Sequence, residues 1–145
     1  MQVAPIEFAV FCDHASVTMD GKLNMNGIFE RMLAKSVPFV HPQMFVVSKL
    51  ILPEGKHNVT FTIMQEDEVL TKTSTEKEVK GKLGSHIHFW GISGLKVEKM
   101  EPVELQILID GKQVYVKRLP VMQVKQKTDG SDEGVVVREK PEKKG

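Results

Sequence analysis

The sequence is poor in the residues that specialise a small protein. It holds one cysteine, one tryptophan and one tyrosine in 145 residues. A lone Cys12 closes no intramolecular disulfide, so a fold must rest on its hydrophobic core. No run of about 18 apolar residues exists, which excludes a membrane-spanning helix. Neither sign of charge dominates: 20 basic against 19 acidic side chains leave +1, which gives no electrostatic case for nucleic acid. Phosphate-cradling glycine loops, a Gly-x-Ser-x-Gly elbow and His-Glu-x-x-His are absent. Trp90 and Tyr115 are the only aromatic platforms with polar edges, too few for a carbohydrate or single-strand face. Residues Met1 to Pro5 lack a basic region and Glu7 follows at once, so no secretion signal is expected. A reducing cytoplasm is the expected location.

What is present is an ordinary core composition, 41% hydrophobic. The length suggests one domain. Composition changes near Val124. Residues 125–145 contain no aromatic residue, methionine or cysteine. They hold 6 basic and 5 acidic residues, which leaves 14 of each in residues 1–124. The expected organisation is a neutral domain over 1–124 and a flexible charged tail over 125–145. The tail's Val135-Val136-Val137 has high β propensity, and it is suited to add as a strand to an open sheet edge, its own or a partner's.

The body reads as strands. Phe8 to Ala15 is nearly continuous apolar chain, as in a strand covered on both faces. Lys22 to Leu33, Met44 to Leu52, Asn58 to Gln65, Val69 to Val79 and Ser85 to Trp90 follow, with Leu95 and Val97 resuming the last. Pro53-Glu54-Gly55 and Glu66-Asp67-Glu68 read as turns, and Gly81 with Gly84 as a loop. Asp20-Gly21 and Asp110-Gly111 mark hairpins. A two-residue turn at Asp110-Gly111 sets Ile107 opposite Val114, Leu105 opposite Val116 and Glu104 opposite Lys117. Around Asp20-Gly21 the same rule sets Cys12 opposite Phe29 and His14 opposite Gly27, with a longer loop or bulge as the alternative. Ile28 to Lys35 has helical composition but no cap. Eight or so strands without crossover helices predict an all-β fold, a two-layer antiparallel β-sandwich, with a closed antiparallel barrel as the alternative.

Few residues form a pattern that carries chemistry. His86, His88 and Trp90 share one face of a strand. Two imidazoles so spaced can bind zinc if a third ligand joins them. Otherwise they are a polar, solvent-facing strand with Trp90 at its rim. Cys12 and His14 have the same spacing, and Cys12 in an apolar run reads as core. Asp13 needs a partner or a strand end. Glu30 and Arg31 after Phe29 read as solvated surface or as the polar rim of a binding patch around Phe29. The acidic spacing at Glu66-Asp67-Glu68 and at residues 129–134 fits no EF-hand loop. No catalytic set assembles and no cofactor is implied.

One set of residues is similar to a known family. Phe11-Cys12-Asp13-x-Ala15, Gly21-Lys22-Leu23, Gly27-Ile28-Phe29-Glu30-Arg31 and His41-Pro42, with Ile109-Asp110-Gly111 and Leu119-Pro120-Val121 later, resemble an uncharacterised bacterial family of small all-β proteins. The resemblance brackets residues 6–121. It implies one sandwich-like domain in a bacterial cytoplasm, and no function. The expected protein is therefore a soluble, non-enzymatic module of unknown function. It binds another protein or its own copy through a sheet edge or face, and neither nucleic acid nor membrane. A metal-dependent binder or enzyme on His86 and His88, or a small-ligand pocket between sheets, are the competing classes.

Overall fold

A computed structural model describes residues 5–126 and 135–138. Nine strands and no helix occur among them: β1 (Ile6–Val17), β2 (Leu23–Phe29), β3 (Met32–Ala34), β4 (Phe39–Gln65), β5 (Glu68–Val97), β6 (Val103–Ile109), β7 (Lys112–Leu119), β8 (Val121–Gln126) and β9 (Val135–Arg138). No described helix is long and apolar enough to cross a membrane. The all-β expectation holds. Six strands form one antiparallel sheet, and β3, β8 and β9 form a small second one, in which β3 and β8 run parallel.

The long strand β4 organises the main sheet. Its residues 45–50 pair with β1, and its residues 59–65 pair with β6. Both stretches also pair with β5, so β1 and β6 follow one another along one edge while β5 takes the other. Pro53-Glu54-Gly55 is not a turn that ends the strand but a bend within it. Between the pairs Pro53↔Leu83 and Gly55↔Val79, β5 spends two more residues than β4. Gly81, with φ of 102°, lies in that excess. Extra residues on one strand bend the ribbon and raise its twist. The expected Gly81–Gly84 loop is this same bulge inside a continuous strand. The reversal at Glu66-Asp67 is a true turn, with φ of 55° at Glu66.

The bend curls the sheet into a half-barrel, where the sequence suggested two separate layers. The curl carries β7 back toward β1, and the Lys117 ammonium donates to the Ala9 carbonyl at 3.3 Å. Phe11, Leu50, Phe61, Ile63, Leu105 and Leu119 are fully buried on the concave side. Each contributes roughly 1.5–3 kcal/mol by leaving water. Gln65 is buried with them, its amide satisfied three times by the connection after β5. It donates to the Lys99 and Glu101 carbonyls at 2.6 and 2.8 Å and accepts from the Lys99 N–H at 3.2 Å.

Both hairpin registers differ from the simplest expectation. Asp110 and Gly111 take φ of 51° and 81°, as a type I′ turn demands. A bulge between Ile107 and Leu108 then moves the pairing by one. Ile107 therefore faces Tyr115 and Leu105 faces Lys117, while Glu104 faces Arg118, at 3.0 Å from its guanidinium. In the first hairpin a longer loop, Thr18 to Lys22, pairs Phe11 with Phe29 and Cys12 with Ile28. The segment Ile28 to Lys35 supplies the end of β2 and the short β3, because its apolar residues find sheet partners. The Val37–Pro38 peptide is cis.

Candidate functional site

The histidine pattern of β5 points inward. His86, His88 and Trp90 pair with Leu50, Ser48 and Val46 of β4 and share their concave face. The His88 ring stacks on Phe61 at 4.5 Å between centroids and 8° between planes. Burial, with the Lys77 charge adding, pushes His88 down to about 4. It is therefore a neutral packing group at ordinary pH. Trp90 is buried beside Phe61, not at a solvent rim.

Cys12 and His14 do not join them. Strand β4 separates β1 from β5, and Cys12 pairs with Phe45, whose side chain lies on the convex face. Burial, with Asp13 nearby, pushes the fully buried Cys12 thiol up, which makes it unreactive. Among the described residues no three His, Cys, Asp or Glu side chains gather to hold a metal ion. Ser48 is fully buried opposite His88, and its hydroxyl has no hydrogen-bond partner among the described residues.

Phe29 and Arg31 also part company. Phe29 packs inward, between Phe11 at 5.9 Å and the stacked His41 ring at 5.5 Å. Arg31 leans to Met122 of β8, and Glu30 pairs with Lys117 at 3.3 Å. Asp13 is exposed, and its carboxylate lies over Gly27, where any Cβ would collide with it. Burial pushes His41 down, against the pull of Asp13. These residues brace the β1–β2–β4 corner. Val135, Val136 and Val137 lie in β9, in register with Gln126, Lys125 and Val124 of β8. The boundary expected at 124 thus falls within β8, and the rest of the expected tail lies outside the described residues.

Two further polar groupings are structural. His57 sits at the bend of β4. Its Nδ1 faces the Asp110 carboxylate at 2.8 Å and its Nε2 faces the Pro53 carbonyl at 2.9 Å. Both partners only accept, so the ring makes both hydrogen bonds only when doubly protonated. The Asp110 hydrogen bond raises its pKa, and the same contact lowers that of Asp110. The Asn58 N–H completes the clasp by donating to Asp110 at 2.9 Å. A cavity of about 280 Å³ near the β4–β5 turn is lined by Glu66, Asp67, Glu101, Pro102, Glu104 and Arg118. Three of its charged groups are paired: Arg118 holds Glu104, and Lys99 holds Glu66 at 3.0 Å.

The feature that sequence reasoning missed is on the convex face. Cys12, Ala15 and Val47 form a second buried cluster, sealed only by the half-buried Phe8, Val10, Leu23, Met25, Phe45 and Phe89. A Cβ at Gly91 would press on the Phe45 ring at 3.2 Å, so the glycine lets that ring lie flat across β5. Ile87 and Leu83 extend this face and are 36% and 55% exposed. Beside it runs the outer edge of β5, which no described strand covers. Lys72, Glu76, Lys77, Glu78, Lys80 and Lys82 guard the first part of that edge. Residues 83–95 contain no Lys, Arg, Asp, Glu or Pro at all. That gap between Lys82 and Lys96 was the available sequence signal.

No curated protein matches the chain. A family profile matches residues 7–122, nearly the span bracketed by the hairpin motifs. The chain therefore belongs to this family, DUF6941, a family of unknown function.

Proposed function

We propose that the protein is a non-catalytic binding module that takes a protein partner along the β5 edge at residues 83–95 and on the apolar convex face beside it. One observation carries this reading. An exposed edge strand is ordinarily blunted with charge, proline or a covering element. Here the charges stop where the exposed apolar face begins. A strand added at this edge gains backbone hydrogen bonds, and its alternate side chains reach Ile87, Phe89 and Phe45. Among the described residues no third ligand gathers beside the inward-facing histidines, so the edge and its face carry the reading. The buried, free Cys12 fits a cytoplasmic setting.

A photo-crosslinking residue at position 87 of the full chain, expressed in a bacterial cytoplasm, tests the reading. A discrete protein adduct is expected from position 87 and not from position 76, within the guarded stretch. Absence of any adduct at 87, or the same adducts from both positions, overturns it.

A further inference from the structure

The bulge of β5 closes a corner on the concave face, opposite the apolar convex one. Before it, Thr75, Lys77 and Val79 pair with Val59, His57 and Gly55 and share their inward face. After it, Gly84, His86 and His88 pair with Leu52, Leu50 and Ser48. The bend folds the two stretches toward each other. A Cβ at Gly84 would lie 2.7 Å from Val79 Cγ1 and 3.3 Å from His86 Nε2, so the bare glycine lets both side chains meet above it. His88 stacks on Phe61 from across the bend, and the Lys77 charge reaches its ring. Lys77, His86 and His88 are each half-buried.

Lys77 lacks the counter-ion that its burial calls for. Among the described residues three lysines are half-buried: Lys49, Lys77 and Lys117. Lys49 pairs with Glu7 at 2.7 Å and Lys117 with Glu30 at 3.3 Å. No described carboxylate pairs with Lys77. Its sequence neighbours Glu76 and Glu78 point to the other face by strand alternation. Its cross-strand neighbour His57 already holds Asp110 at 2.8 Å. A partly buried charge without a partner costs stability, so packing alone does not account for it. Ser48, opposite His88, is fully buried, and its hydroxyl has no hydrogen-bond partner among the described residues. The His86 ring has none either. The corner thus gathers an unpaired cation and unused hydrogen-bonding groups around no anion. We propose that it binds a small oxyanion, a phosphate group or a carboxylate, with the Lys77 ammonium as counter-ion and the His86 and His88 rings as further donors. A neutral imidazole still donates through one nitrogen, and charge-assisted bonds from Lys77 supply most of the attraction.

The test is titration of the full chain with inorganic phosphate and, separately, with acetate, at fixed ionic strength, followed by backbone amide NMR shifts. At least one ion is expected to give saturable shifts centred on residues 75–79, 84–88 and Ser48. The ion that saturates at the lower concentration names the class, phosphate group or carboxylate. Lys77→Gln is expected to weaken binding about tenfold, the loss of one charge-assisted hydrogen bond. Lys77→Arg keeps the charge and is expected to retain binding. Lys82→Gln, at an exposed position of the same bulge, is expected to bind as the native chain does. The same spectra show whether each variant folds, and His86→Ala serves as a second variant, expected to weaken binding severalfold. Failure of both ions to saturate overturns the proposal, as does native affinity in Lys77→Gln. Equal weakening by Lys82→Gln and Lys77→Gln also overturns it, because that marks general screening of surface charge. None of these results bears on the β5 edge, since Ile87 lies on the opposite face from His86 and His88.

Discussion

The two ends of β4 differ although one strand contains them. Between residues 44 and 52 both faces are mostly apolar: Met44, Val46, Leu50 and Leu52 point into the half-barrel with Ser48, while Phe45, Val47 and Ile51 point out with Lys49, which pairs with Glu7 at 2.7 Å. Between residues 59 and 65 only one face is. Val59, Phe61 and Ile63 are fully buried inward, and Thr60 turns outward to share a hydroxyl contact with Ser74 at 2.9 Å. The second half obeys the ordinary rule for a sheet with one solvated face. The first half is built like a strand covered on both faces, with no described element over the convex one. The bend at Pro53 to Gly55 separates the two regimes. Folding accounts for the concave side along the whole strand, which leaves the convex side of the first half to the proposed binding role.

The largest test of that division compares two phenylalanines. Phe61 is fully buried on the concave side and touches both His88 and Trp90. Phe61→Ala is expected to destabilise the fold by about 3–5 kcal/mol, the range for a large core deletion. Phe45 is half-buried on the convex face. Phe45→Ala is expected to cost about 1 kcal/mol, the typical value for a single substitution. Urea unfolding followed by the fluorescence of Trp90, the single tryptophan, measures both. Equal losses would erase the distinction between a face needed to fold and a face needed to bind.

A smaller effect separates the concave packing from the bend. His88 is pushed down to about 4 in the folded state, against an ordinary value of 6.5. Its depressed value favours the neutral ring, so the folded state is penalised as pH falls below 6.5. The penalty grows until about pH 4 and reaches on the order of 3 kcal/mol at most. His88→Leu is expected to flatten that acid slope. His57 acts with the opposite sign. Its raised value gives stability that is complete below pH 6.5 and lost as pH rises through the folded value. Asp110 is lowered, so its share is present above pH 3.8 and lost as pH falls. The clasp is therefore strongest between about pH 4 and 6.5. Melting temperatures across pH 4–9 are expected to show His57→Gln removing the alkaline decline and leaving the acid one.

Much of this was legible in the sequence, and the failures have a common cause. The strand content, the Asp110-Gly111 turn and the reversal at Glu66-Asp67 follow from local backbone chemistry. Bulges do not, because they depend on what the neighbouring strand presents. One bulge past Ile107 turned Lys117 inward and gave Glu104 to Arg118. A second made Pro53-Glu54-Gly55 and Gly81 into a bend of paired strands instead of two breaks. The same-face relation of His86, His88 and Trp90 was readable from alternation. Which face they took was not, because that depends on the curl that brings Phe61 over His88. The convex cluster joins Phe8, Phe45 and Phe89 from three strands, and no single segment announces it.

The smallest expected effect lies where the second half of β4 faces outward. Thr60 and Ser74 pair across β4 and β5 on the convex side, and their hydroxyls bond to each other. Thr60 is half-buried and Ser74 exposed, so water replaces the lost partner readily. Thr60→Val keeps the β-branched shape that suits a strand and removes only the hydroxyl. It is expected to change stability by no more than about 0.5 kcal/mol. Partner binding is expected to stay the same, since Thr60 pairs with Ser74, within the charged stretch of β5 and away from residues 83–95. Thr60→Val and Phe45→Ala therefore form a matched pair on one face of one strand. Phe45→Ala is expected to weaken partner binding and Thr60→Val is not; if both did, the binding surface would extend past the bend, and charge on the edge would not be what bounds it.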